Sequence, residues 1–197
     1  PREAKNQPPL PLTVELQALL APQSLQLQSL QLHSGPARLQ ASAELALRKA
    51  LSLDQGWSLK SEAQIQGMDP RRFVPALAAA SSAPHELHGR LQARLAGGPA
   101  TVWPEGTAQL EILPSQWAGL PLQGRLDYRR SGAARPELQA RLALADASLQ
   151  ASSTVAAQGT AAAATSDLQL QLGAELPRLA SLQPLLQGLW PKARLDG

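Results

Sequence analysis

Leucines spaced by a single residue recur along the whole chain. Leu25 and Leu27, Leu30 and Leu32, Leu45 and Leu47, Leu51 and Leu53, Leu120 and Leu122, Leu142 and Leu144, then Leu168, Leu170 and Leu172 all follow this spacing. Side chains of a strand alternate between the two faces of a sheet with period two. A sheet built from these segments has one greasy face and one wet face. With little reactive chemistry between the leucines, the function is expected on what the greasy face touches.

The pattern predicts a succession of strands. Val14, Leu16, Ala18 and Leu20 alternate with other residues. The phase changes at Ser29, between the Leu25–Leu27 and Leu30–Leu32 pairs, which predicts a bulge or bend. Gly35-Pro36 predicts a turn, and Ala37, Leu39, Ala41, Ala43, Leu45 and Leu47 a long one-faced strand. Asp54-Gln55-Gly56 reads as a hairpin tip, with Trp57, Leu59, Ala63 and Ile65 on the returning strand. Strands resume over Leu87–Leu95, after the turn Gly97-Gly98-Pro99, at Leu138–Leu144 and at Leu149–Val155. Ala156–Ser166 is rich in Ala, Thr and Gly and fits a weak strand pair or a loop.

Two segments break the alternation. Met68-Asp69-Pro70-Arg71-Arg72-Phe73 carries an Asp N-cap and a Pro at the first helical position, with Phe73, Val74 and Leu77 on one helical face. Glu175–Gly188 repeats this arrangement, and Pro70 and Pro177, each followed by Arg, lie 107 residues apart. The expected organisation is a loose lead-in over 1–11, a first sheet segment over 12–67, a short helix and loop over 68–84, a second sheet segment over 85–174, a short helix over 175–188, and the start of another strand over 189–197. This is one long repeat with part of a second.

Composition narrows the function classes. The 197 residues suffice for one large β domain or two small ones. Aromatics make up only 3% of the chain, so the apolar content is aliphatic and an apolar lining would be smooth and unselective. The formal net charge is +3, but the arginines are scattered, with close pairs at Arg71-Arg72 and Arg129-Arg130. Nucleic-acid binding requires a basic stripe with stacking rings, and no such partner is expected. There is no cysteine, hence no disulfide or thiolate metal site. No apolar stretch reaches the roughly 20 residues that span a bilayer. The chain opens at Pro1 and stops in Ala193–Gly197, which reads as mid-strand; a segment of a longer protein, with any membrane anchor outside it, is the expectation.

Candidate chemistry is sparse. His85-Glu86-Leu87-His88 spaces its histidines three apart beside a strand start, whereas the helical zinc motif needs them four apart. Residues three apart in a strand face opposite ways, so a solvent-exposed turn is expected and no metal. The aspartates lie near turns and strand ends, where they have structural work. No nucleophile elbow and no phosphate loop with a lysine is present. Neither catalysis nor a cofactor is expected. Trp57, Trp103, Trp117 and Trp190 lie near strand starts, where they fit either rim packing or the boundary between a lipid headgroup and its tail.

Four groups of residues together resemble the TamB family of the AsmA-like group. They are Leu30-x-Leu32 with Gly35-x-Ala37-x-Leu39-x-Ala41; Gly67-x-Asp69-Pro70 with Phe73; Gly119-x-Pro121-Leu122-x-Gly124; and Leu179-Ala180-x-Leu182-x-Pro184-Leu185 with Gly188. The similarity covers nearly the whole chain after residue 11. It implies a mainly β fold, a long curled antiparallel or meandering sheet with a hydrophobic groove (a β-taco) and two short inserted helices. It further implies a protein anchored in the inner membrane of a Gram-negative bacterium. Such a protein would cross the periplasm to a TamA-like outer-membrane barrel, with roles in phospholipid transfer and outer-membrane biogenesis. Ala156–Ala164 departs from the pattern, being poor in large apolar residues.

The physics agrees with an aliphatic groove, since a one-faced sheet must have that face covered. The residues expected to line it against phospholipid acyl chains are Leu45, Leu47, Leu59, Ile65, Leu91, Leu95, Leu110, Ile112, Leu122, Leu126, Leu142, Leu144, Leu168, Leu170 and Leu172. An ordinary closed core is the plain alternative for each of them. Two other functions stay open at this point. One is a chaperone-like scaffold whose strand edges pair with incoming outer-membrane proteins. The other is a β-solenoid adhesin or passenger domain, which should show a repeat of roughly 20 to 30 residues.

Overall fold

The computed structural model describes residues 11–49, 52–72, 83–99, 103–132, 135–158 and 165–175. Ten strands follow one another: β1 Leu12–Ala21, β2 Ser24–Ser34, β3 Ala37–Lys49, β4 Ser52–Met68, β5 Leu87–Gly97, β6 Glu105–Trp117, β7 Leu120–Arg130, β8 Glu137–Leu144, β9 Ala147–Gln158 and β10 Thr165–Glu175. They form one sheet in strict chain order. Every ladder is antiparallel. The sheet is not closed, so β1 and β10 are its edges. The fold is mainly β, as the alternation predicts. The two expected sheet segments are continuous, because β4 pairs directly with β5 from Trp57↔Gly97 to Met68↔Leu87.

Short turns enforce this meander. At the β6–β7 turn Ala118 and Gly119 have φ of 52° and 76°. Positive φ at both central residues is the tight hairpin geometry whose twist matches that of the flanking strands. The expected hairpin tip at Asp54–Gly56 lies elsewhere. β4 already runs through those residues, and its ladder with β3 extends past them to the pair Lys49↔Ser52. Gly56 instead serves an irregularity within the strand, with φ 115° and room for the Arg48 side chain.

The phase change at Ser29 is a bulge, as the sequence predicts. Leu27 pairs with Ala43 and Leu30 with Ala41, so Leu25, Leu27, Leu30 and Leu32 all keep to one face. Similar irregularities fall between Ile65 and Met68 on β4 and between Ile112 and Ser115 on β6. Bulges bend a strand and leave backbone groups unpaired. Side chains take up those groups here. The Gly67 N–H donates to His88 Nδ1 at 3.3 Å, the His88 N–H to Ser115 Oγ at 2.9 Å, and the Ser115 hydroxyl to the Leu113 carbonyl at 2.7 Å. Ser115 is a buried polar residue on the apolar face for this reason.

The break after β4 starts with a 3-10 turn, Pro70–Arg72, and no other helix occurs among the described residues. Asp69 caps it, accepting from the Arg71 N–H at 3.0 Å and pairing with the Arg71 guanidinium at 2.7 Å. Arg71 Nη1 also donates to the Ala83 carbonyl at 2.9 Å, which ties together the two ends of the excursion. The rest of the first expected helix, at 73–82, lies outside the described residues. So do the second over 176–188, the lead-in over 1–10, residues 159–164 and the expected strand over 189–197. Ala156–Gln158 belong to β9 and Thr165–Ser166 to β10.

Candidate functional site

The register places the expected lining residues whose side chains are described on one face. Leu16, Leu30, Ala41, Ala63, Leu91, Leu110, Leu126, Ala140, Ala151 and Leu172 pair in succession and form a row across all ten strands. The next row on that face runs Val14, Leu32, Leu39, Ile65, Gly89, Ile112, Gly124, Leu142, Leu149, Ala174, with no polar member. Leu45, Leu59 and Leu95 pair in a further row, and Leu47 faces Trp57 beyond it. Leu122 pairs with Leu144 at the other end. The backbone of Leu168 pairs with Val155 and that of Leu170 with Ser153. At about 4.8 Å between strands, an apolar row extends roughly 43 Å.

The opposite face is polar over the same span. Its central row reads Glu15, Gln31, Gln40, Gln64, Arg90, Glu111, Arg125, Arg141, Gln150, Gly173. Shallow depressions lie on this side, one of about 330 Å³ among Gln31, Gln40, Gln64 and Arg90 and one of about 430 Å³ among Thr107, Gln109 and Arg129. Arg125 Nε donates to Asp127 at 2.7 Å, and that bond raises the guanidinium pKa.

Leucines in the middle of the apolar face are not covered. Leu91 is 37%, Leu110 42% and Leu142 36% exposed, although each has a strand on both sides. Among the described residues the buried apolar side chains are Ala37, Ala93, Ala118 and Leu122, three of them alanines. Among the expected lining residues whose side chains are described, Leu122, at 8% exposure, is the one that behaves as core. Leu16, Leu30, Leu32 and Leu149 share this face beyond the expected lining set. The first three follow the visible alternation, but the phase change at Ser29 obscures which side β2 presents.

Aromatic residues frame this face. Trp57 packs against Gly97, where a Cβ would fall 2.7 Å from the indole. Near the same end of the strands, Tyr128 donates its hydroxyl to the Pro104 carbonyl and Arg130 donates to the Trp103 carbonyl. Burial pushes the Tyr128 pKa up, against the opposing pull of Arg130. Trp117, at the other end, meets His85 edge-on with ring centroids 5.0 Å apart. His85 is not the solvent-exposed turn residue expected from sequence. It is buried at 6% exposure, and its Nδ1–H donates to the Ala83 carbonyl at 2.9 Å. His88, at the start of β5, has its Nε2 3.3 Å from Glu86 Oε1. No group of three or more metal-ligating side chains occurs among the described residues.

An aliphatic face with polar backing can hold extended hydrocarbon. No family model, curated protein or solved structure matches the chain.

Proposed function

We propose that this chain is part of a periplasmic lipid-transfer protein of a Gram-negative bacterium, of the TamB type within the AsmA-like group. In this reading phospholipid acyl chains lie on the apolar face and pass along it between the inner and outer membranes. The sheet curls to shelter them as a groove, and an inner-membrane anchor and a TamA-like barrel partner belong to the whole protein. The observation that carries the reading is the unbroken apolar row across ten strands, with central leucines more than a third exposed.

The energetics suit a conduit. Each buried methylene contributes about 0.8 kcal/mol, so partial coverage of a tail already favours the protein over water. Rows of similar aliphatic residues give similar affinity at successive steps, and a cargo that must move on needs shallow wells. Native mass spectrometry after gentle extraction should find phospholipid on the chain. Leu110→Glu, at an exposed central position, should fold normally and lose that lipid. Lipid recovery unchanged in a folded Leu110→Glu variant would sink the reading.

A further inference from the structure

The apolar face carries charge at one end. Between the row of Leu47 and Trp57 and the row of Leu122 and Leu144, Arg130 is the one charged side chain on that face among the described residues. It ends the row Leu20, Leu25, Leu45, Leu59, Leu95, Gly106, Arg130. Arg129, its chain neighbour, belongs to the polar face, where it pairs with Thr107 and Glu137. Arg130 is half-buried. A guanidinium drawn out of water on an apolar face calls for strong acceptors. It donates to the neutral Trp103 carbonyl, and Tyr128, next along the same face, donates to the Pro104 carbonyl. Residues 103–104 therefore lie on the apolar side at this end. Trp103 also holds a buried indole N–H with no acceptor among the described residues. Buried donors are rarely left unmatched.

We infer that Arg130 anchors the phosphate of a phospholipid whose tails run from it along β7 toward Leu122. The inference rests on the lipid reading above and gives the bound lipid a direction. Anchor and tails share one face of the sheet. Arg130, Tyr128, Leu126, Gly124 and Leu122 follow one another on it, roughly 26 Å of strand at about 3.3 Å per residue. One leaflet of a bilayer's hydrocarbon core is about 15 Å deep, so acyl chains fit within that run. A guanidinium matches a phosphate through paired N–H donors. With no carboxylate on this face over the same span, among the described residues, nothing reads an ammonium. The site therefore selects the phosphodiester common to phospholipids and not the alcohol beyond it. Trp57, opposite Gly97 in the next row, and Tyr128 put amphipathic rings at the same end, where headgroup meets tail.

The test equilibrates the full chain with mixed detergent micelles holding equal parts phosphatidylethanolamine, phosphatidylglycerol and diacylglycerol, and quantifies retained lipid by native mass spectrometry. Both phospholipids should exceed diacylglycerol about fivefold, the size of one exposed ion pair, and match each other. Arg130→Gln should bring them down to the diacylglycerol level and leave diacylglycerol retention unchanged. Arg130→Lys should keep most of the preference, which a merely structural bond to the Trp103 carbonyl does not require. Arg129→Gln, one residue away on the opposite face, should keep all of it. Circular dichroism checks that each variant folds. Loss of the preference in Arg129→Gln as well would mean a general charge effect and overturn the anchor. Equal retention of the three lipids by the native chain would overturn it and leave the lipid reading standing, whereas retention of none would overturn both. Inorganic phosphate is the control arm. If it binds the native chain and no phospholipid preference is seen, Arg130 is a free-anion site and the inference fails.

Discussion

The corner around His88 and the centre of the apolar face are built by the same strands and end in opposite states. At the corner, two bulges leave backbone groups open, and Gly67, His88 and Ser115 satisfy them in a chain of bonds. His85 and Leu122 are buried nearby, and Arg71 ties the ends of the excursion together. A few rows away Leu91 and Leu110 stay more than a third exposed. The chain can therefore pack and satisfy a buried region where it needs one. The openness of the leucine rows is a property of a one-faced sheet, in which each strand is covered only by its two neighbours. The corner satisfies its own polar groups, and the open face is left to contact something else.

That contrast can be broken first at the corner. Gly67 has φ 59°, and a Cβ there would meet the Pro36 carbonyl oxygen at 2.9 Å. Gly67→Val should cost roughly 4 kcal/mol, measured by urea unfolding. Leu122→Ala should cost about 3 kcal/mol, and Leu110→Ala well under half of that, because the first opens a cavity and the second trims an exposed surface. Equal losses would mean the central face is a covered core. Ser115→Ala removes the acceptor of a part-buried N–H and should cost about 2 kcal/mol in the same assay.

Smaller effects sharpen the picture at the rim and on the polar face. Because the Tyr128 pKa is raised in the folded chain, its contribution to stability is present below the ordinary value of 10.0. It is lost as pH rises through the raised folded value. Phenolate absorbance should therefore appear later in the native protein than in urea. Asp127→Asn, which removes an exposed pair with Arg125, should leave the melting temperature unchanged within error.

Much of the face was legible because alternation is a local property. Leu45 and Leu47, or Leu142 and Leu144, share a face in any strand that contains them. The slip at Ser29 was legible as a bulge for the same reason. Turn position was less so. Asp54-Gln55-Gly56 carries a hairpin signature, but the chain continues through it as β4, since Leu47↔Trp57 and Lys49↔Ser52 fix an irregular end to the pairing. The burial of His85 had no local signal, because it depends on Trp117 from another strand.

The residue order by itself determined that strands would form and which side of each would be apolar, since that follows from a period of two along one segment. It also determined the absence of cysteine chemistry, since the chain has none. Only the tertiary structure decided which leucine stands beside which, and so that the apolar positions join into rows across ten strands. It alone set Lys60 against Arg94. The physical reason is that register is fixed by turns, bulges and cross-strand pairing acting together, and no single segment carries that information.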